Sequence, residues 1–286
     1  MTEFCHIAPT DFLELVKGRT HHLTLAHLVD TSEDYTEFYK DQNCVNIMDN
    51  SAFEMYKQGK PMLTPMKVLE MAQRIKANYV VLSDYPGEHS SKTIQAAIDL
   101  APLFRSWGFG TFFVPQSNIG DKEDLINAFD WASTSRHVNY IGVSILGVPN
   151  AYGVEKGNKL QRFVARFMFM QELLDRGILD RIRRNKKKIH FLGMVDGPNE
   201  IRLMEPYREY IDTWDSSAGV WLGLNGRTFD SSPTGIIDGK FEKEVDFDLE
   251  QADVSIDNYN LAKYNIDYID SIVTKYLNDD LRYSYG

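Results

Sequence analysis

One rhythm constrains this chain more than any other feature: a short apolar run, a polar turn and an amphipathic helix, repeated along most of its 286 residues. The runs that read as strands are FCHIAP (4–9), LTLAHLV (23–29), VNIMD (45–49), YVVLSD (79–84), TFFVPQ (111–116), NYIGVSI (139–145), IHFLGM (189–194) and IDTWD (211–215). Most are near-continuous in apolar residues, as expected of parallel strands buried on both faces. The helices between them have legible ends. Thr64-Pro65 sets a capping hydroxyl and a first-turn proline before MKVLEMAQRIKAN, and Ser90 and Ser91 open SKTIQAAIDLAPLFRSW, which stops ahead of Gly108. Asp121 opens KEDLINAFDWAS, LQRFVARFMFMQELLDRG stops at Gly177, Pro198 begins NEIRLMEPYREY, and DNYNLAKYNIDYIDSIVTKYL forms the last helix. The region from Gly219 to Lys240, rich in Gly, Ser and Asn, reads as a long loop after the eighth strand.

Strands alternating with helices leave two architectures, a doubly wound open sheet or a closed barrel. No GxGxxG follows the first strand and no GxxxxGK[ST] occurs in the chain, so the nucleotide-binding forms of the open sheet lack their fingerprint. A count of eight favours an α/β fold of the (β/α)8 TIM-barrel type. The expectation is one catalytic domain over residues 1–286, with an acidic C-terminal extension and final helix from about residue 238.

Composition narrows the class. Hydrophobic residues make up 43% and charged residues 25%, as in ordinary soluble globular proteins. Cys5 and Cys44 are too few for a disulfide scaffold and too far apart for a zinc knuckle. They read as reduced thiols of a cytoplasmic protein, with no metal and no cofactor expected. The N-terminal MTEFCHIAPTDF lacks the basic start and apolar stretch of a signal peptide, and no segment reaches the ~20 apolar residues of a membrane span. A net charge of −10 argues against non-specific nucleic-acid binding. The charge is uneven, however. Arg176, Arg181, Arg183, Arg184, Lys186, Lys187 and Lys188 crowd one stretch against Asp175 and Asp180, while residues 238–257 are strongly acidic.

Barrel enzymes carry their chemistry at the C-terminal ends of the strands. Here the third run ends in Asp49, the fourth in Asp84, the fifth in Gln116, the sixth in Val143-Ser144, the seventh in Met194 and the eighth in Asp215. Each acid alone would pass as a helix cap or turn residue; three on one rim point to function. Carboxylates serve as nucleophile, general base or hydrogen-bond acceptor. A glycosyl carbon suits such a pair, one carboxylate attacking it and another handling the leaving-group proton. A carboxylate also matches the N1–H and 2-amino donors of guanine. Phe53, four residues past Asp49, is placed either to stack on a planar base or to plug the barrel top. No HExxH, HxH or GxSxG occurs, so His21, His22, His27, His89, His137 and His190 read as structural, and Ser216-Ser217 as loop.

In order along the chain, these strand ends resemble the guanine transglycosylases, barrel enzymes that exchange guanine for a 7-deazaguanine. The family's D-S-G-G-[FY]-Q resembles Asp49-Asn50-Ser51-Ala52-Phe53-Glu54, its F-D-E resembles Leu82-Ser83-Asp84, and its V-Q-G-G resembles Val114-Pro115-Gln116-Ser117. Its Y-A-I-G-G-L resembles Asn139-Tyr140-Ile141-Gly142-Val143-Ser144, and its H-Y-L-M-G-V-G resembles the segment from His190 to Asp196, with the family's methionine falling on Gly193. Its F-D-C-V-L-P-T-R resembles Trp214-Asp215-Ser216-Ser217, with Asn225-Gly226-Arg227 downstream. The match covers roughly residues 20–230. It is nearest in character to the phage and bacterial DNA-guanine transglycosylases, because the C-x-C-x-x-C…H zinc set and the extra length of the tRNA enzymes are both missing.

The resemblance implies a glycosyltransferase. Asp215 would be the nucleophile on the nucleotide C1′ and Asp49 the general acid/base for the base nitrogen. Asp84 would accept from N1 and the 2-amino group, Gln116 and the Val143 backbone N–H would donate to O6, Ser144 would belong to the same substrate-binding set, and Phe53 and Met194 would sandwich the ring. The partners implied are DNA, with the target base flipped out of the duplex, and a free 7-deazaguanine such as the 7-cyano form; helper proteins and the oligomeric state stay open. Arg183, Arg184, Lys186, Lys187 and Arg227, with Lys159, Arg162 and Arg166 on the preceding helix, form the candidate phosphate-contact surface or, alternatively, a solvated helix end. Two alternatives accompany this reading: the same chemistry on tRNA, and an inactive barrel that only binds nucleic acid or protein.

Overall fold

The computed structural model describes residues 1–57, 59–155, 158–194, 197–229 and 249–279. Eight strands run parallel: β1 (Glu3–His6), β2 (His21–Leu25), β3 (Val45–Asp49), β4 (Tyr79–Val81), β5 (Gly110–Phe113), β6 (Tyr140–Ser144), β7 (Lys188–Leu192) and β8 (Thr213–Ser216). Their order in the sheet is β1-β8-β7-β6-β5-β4-β3-β2. β1 and β2 lie against each other at the ends of that order, so the sheet curls into a nearly closed barrel with helices outside it. This is a (β/α)8 barrel. Among the described residues no helix is long and apolar enough to cross a membrane.

All eight expected strands are present with shifted ends: β1, β2, β5 and β7 begin before the expected runs, most stop short of them, and β8 runs on to Ser216. The run LTLAHLV divides: β2 stops at Leu25, whose N–H donates to the Tyr35 hydroxyl at 3.1 Å, and Ala26–Thr31 turns into a helix. Periodicity could not separate the two, because the first turn of that helix is as apolar as the strand before it. The expected loop from Gly219 is corrected at its start, where Ala218–Leu224 is helical and buried from Gly219 onward. Its glycines are the reason it can lie there. A Cβ on Gly223 would stand 2.2 Å from the Ala262 backbone of the helix Ile256–Val273. The later part of that loop, residues 230–240, lies outside the described residues.

The C-terminal ends of β6, β7 and β8 are tied together by one cation. Arg166, on the helix Lys159–Asp175, is wholly buried and forms an ion pair with Glu200, also wholly buried. Its Nε and Nη2 donate to the two Glu200 oxygens at 2.7 and 2.6 Å. Nη1 donates to the carbonyls of Val143 (3.1 Å) and Leu192 (2.9 Å), and Nη2 also to that of Gly193 (2.8 Å). All five guanidinium N–H groups therefore have acceptors, and the cation lies over the rings of Phe191 and Trp214. The expectation that Arg166 contacts phosphate is thus corrected, since its side chain faces the barrel wall and not solvent.

Removing one member of a buried pair strands the other's charge, at a cost of about 3–5 kcal/mol. Arg166→Leu should therefore lose stability on that scale in urea titration, with part recovered in Arg166→Leu/Glu200→Leu. A single-variant cost below about 1 kcal/mol would refute this account of the pair.

Candidate active site

Side chains alternate along a strand, so residues two apart share a face. On β8 this places Thr213 and Asp215 together, and on β7 it places His190 inside the barrel, where its ring meets those of Phe112 and Tyr140. Asp215 is only 6% exposed, at the top of this stack. Its Oδ1 accepts from His190 Nε2 at 2.8 Å and from the Gly193 N–H at 3.2 Å. His190 Nδ1 lies 2.6 Å from the Thr213 hydroxyl, which has the Tyr140 hydroxyl 3.4 Å behind it. With Nε2–H committed to the carboxylate, Nδ1 is the acceptor and Thr213 donates to it. Among the described residues nothing donates to Asp215 Oδ2, so that oxygen keeps its lone pairs for a ligand.

The opposite wall is prepared differently. Asp49 ends β3, half-buried, and accepts from the Ser51 N–H at 3.0 Å. That turn needs Ser51 in the left-handed region, at φ 57°, and His27 clamps it: Nδ1 lies 2.9 Å from the Ser51 hydroxyl, and the His27 N–H donates to the same oxygen. Burial, followed by the charges of Glu54 and Asp84, pushes the Asp49 carboxyl well above the usual carboxylate range, and only the Ser51 N–H opposes the rise. An acid so placed holds its proton to higher pH.

Asp84, 5% exposed, is bracketed by two amides. Asn50 Nδ2 donates to one oxygen at 2.9 Å and Gln116 Nε2 to the other at 2.7 Å. Burial raises this carboxyl too, while the two amide bonds hold it back. Asn50 also donates to the Leu82 carbonyl and accepts from the Ala52 N–H, so its amide is fixed in place. Beside Asp84 and Asn50 opens a cavity of about 400 Å³, walled by Leu63, Val68, Leu100 and Phe104 of the adjoining helices and loop. That is within the size range of small-molecule sites.

The structure thus brings Asp49, Asp84, Gln116 and Asp215 to one rim. Val143 is buried within β6, with its carbonyl given to Arg166. The Ser144 hydroxyl accepts from the N–H groups of Leu146 and Gly147, shaping the turn that leaves β6. Met194 is buried just past Gly193. Phe53 belongs to the helix Ala52–Lys57, and its side chain lies outside the described residues. Sequence reasoning missed three groups here, His190, Asn50 and Glu54. A histidine in mid-strand between apolar neighbours was the one available signal for His190.

The residues expected to contact phosphate stand apart from the acids. Arg183 and Arg184 end the helix Ile178–Arg184, and Lys186 and Lys187 lie in the turn leading into β7. They stand at the N-terminal face of the barrel, across the molecule from the acids. Arg183 pairs with Asp212 at 3.2 Å. Lys187 is buried, donating from Nζ to the carbonyls of Ser135 and Val138, with its pKa pushed down to about 8 by burial and then by Arg105. These four therefore lie apart from a base seated at the rim. Arg227 is exposed after the helix Ala218–Leu224, its carbonyl accepting from Asn265. No protein-family model matches the chain, and no curated protein is significantly similar to it.

The raised Asp49 carboxyl makes a signed prediction. Its stabilising proton is fully present below the ordinary carboxylate pKa of about 4 and is lost as pH rises through the higher folded value. Asp49→Asn keeps the shape without the ionisation. Its melting temperature should therefore gain on the parent's as pH is raised from acid to mildly alkaline. A difference that stays flat across that range would remove the shift.

Proposed function

We propose that this protein is a base-exchanging glycosyltransferase that replaces guanine in DNA with a 7-deazaguanine, through a covalent bond from Asp215 to the nucleotide C1′. The observation that carries the reading is the contrast between two carboxyls on one rim. Asp215 has one oxygen occupied by His190 and Gly193 and the other unoccupied by any described donor, which suits a nucleophile. Asp49, held toward its protonated form, suits a proton carrier. Asp84, just past the strand next to that of Asp49, has the acceptor chemistry for the N1–H and 2-amino edge of guanine, supported by its two amides.

The steps balance. Asp215 Oδ2 bonds to C1′, the C1′–N9 bond breaks, and its electron pair leaves with guanine, which takes a proton from Asp49. The incoming 7-deazaguanine returns a proton from its ring N–H to Asp49 and attacks C1′, and Asp215 departs as a carboxylate. Two inversions leave the configuration at C1′ unchanged. A base inside a duplex is out of reach, so the target nucleotide would be flipped into the rim. DNA is favoured over tRNA because the cysteine set of the tRNA branch has no counterpart in this sequence.

The test is transfer of labelled guanine into DNA and into tRNA. Label should enter DNA, and Asp215→Ala should reduce it to background while free-base binding persists. Label in tRNA alone would overturn the choice of polymer. No label in either, with DNA still retained on a filter, would favour a barrel that only binds. A second measurement addresses Asp49. Glu54→Gln removes a negative neighbour and so lowers the Asp49 pKa. The alkaline limb of the rate profile, where the required proton is lost, should move to lower pH. An unmoved limb would take the acid role away from Asp49.

A further inference from the structure

The cations excluded from the rim are not scattered. β4, β5, β6 and β7 are consecutive neighbours in the sheet, and the helix end or turn leading into each of them carries an exposed cation. Lys76 precedes β4, Arg105 precedes β5, Arg136 precedes β6, and Arg184 and Lys186 precede β7. Strands lie about 4.8 Å apart, so the arc spans roughly 15 Å or more along the N-terminal face. Among the described residues none of these five is in an ion pair.

The carboxylates on the same segments are already engaged. Asp130 pairs with Arg181, Asp212 with Arg183 and the Ile189 N–H, and Asp180 accepts from the Tyr210 hydroxyl at 2.8 Å. The cations are also held close to one another. Arg105 donates to the Arg136 carbonyl, and buried Lys187 donates to Ser135 and Val138 of the same turn. Arg136 and Arg105 both disfavour a proton on His137, an effect of packed like charges second only to burial there. Lys76 and Lys186 each hold a left-handed backbone, at φ 54°, a conformation that glycine or asparagine would adopt more cheaply. On a chain of net charge −10, this arc is a concentrated local exception.

We propose that the N-terminal face of the barrel is a phosphate-binding surface for a nucleic-acid backbone, formed by Lys76, Arg105, Arg136, Arg184 and Lys186. Phosphates rise about 3.4 Å per nucleotide along a strand, so an arc of this length faces about four of them. Guanidinium groups match phosphate oxygens in bidentate fashion, and three of the five are arginines. A protein partner would ask for an apolar centre, and the arc offers one large exposed apolar side chain, Trp107 at 37%. The surface lies opposite the acids, so it holds nucleic acid away from any nucleotide reacting at the rim. On a long polymer that contact raises the local concentration of the rest.

The measurement is binding of a duplex of roughly 30 base pairs as a function of salt. Combined Arg105→Gln, Arg136→Gln, Arg184→Gln and Lys186→Gln should weaken binding at least ~10-fold at low salt and flatten the log–log slope by roughly 3–4, at about 0.9 per phosphate contact. Because Arg105 also braces the Arg136 turn, Arg184→Gln/Lys186→Gln alone serves as the second variant, with a slope change of about 2. Thermal melting checks that both variants are folded. Unchanged affinity and slope in folded variants would overturn the assignment, as would a wild-type protein that does not bind the duplex. Tighter binding of polyglutamate of equal charge would also overturn it, in favour of an acidic protein partner. The surface does not rest on the base-exchange reading: a protein that binds DNA here but transfers no base leaves the surface standing and removes only that reading.

Discussion

A single buried guanidinium holds the reactive quarter of this barrel in register. Arg166 reaches the carbonyls of Val143, Leu192 and Gly193 and meets Glu200 behind them. Those carbonyls belong to the C-terminal ends of β6 and β7 and to the turn that leaves β7, so one side chain joins two strand ends and the turn beyond them. Fixing the Gly193 peptide has a further result. Its carbonyl also accepts from Trp214 Nε1 at 2.8 Å, and its N–H points at Asp215. The position of the Asp215 carboxylate is therefore set from two sides, by His190 within the barrel and by a turn that the ion pair holds down.

The rim shows how one fold can give similar side chains unlike properties. Asp49, Asp84 and Asp215 all follow apolar strands and all lie near one another. Asp215 is fastened through one oxygen. Asp84 is stabilised by two amides. Asp49 receives one backbone N–H and is pushed toward its protonated form by burial and by Glu54 and Asp84. Separating the proton affinities of neighbouring carboxyls is how an enzyme assigns acid and nucleophile among them. For Asp49 and Asp84 burial raises the carboxyl, and the difference lies in what opposes it: two amides at Asp84, a single backbone N–H at Asp49, where Glu54 and Asp84 add to the rise.

Charge is divided between the two ends of the barrel in the same spirit. Acids collect where the strands finish, and cations without an ion pair among the described residues collect where β4 to β7 begin. Strand direction accounts for part of this. The last turn of a helix favours cations, and in a parallel barrel every such turn lies on the N-terminal face. Helix ends account for Arg105 and Arg184 but not for Lys76, Arg136 and Lys186, which lie past the helices and, among the described residues, have no carboxylate partner.

The strand count, the barrel and the rim acids were legible in the sequence, because parallel strands buried on both faces leave apolar runs and the residue ending each run falls at the same end of the barrel. The placement of the basic stretch was also implicit in the chain order, since residues just before the seventh strand must stand at its start. What the sequence could not decide is which polar residues turn inward. Arg166 sits in a helix full of cations, and Lys187 in a run of three lysines, and nothing local distinguishes either from a solvated neighbour. His190 gains its role from Asp215, on the next strand in sequence, and Asn50 from Asp84. Periodicity reports the face of an element on which a residue lies, but a polar group's partner is set by which strands and turns are brought together. That pairing exists only once the barrel has closed.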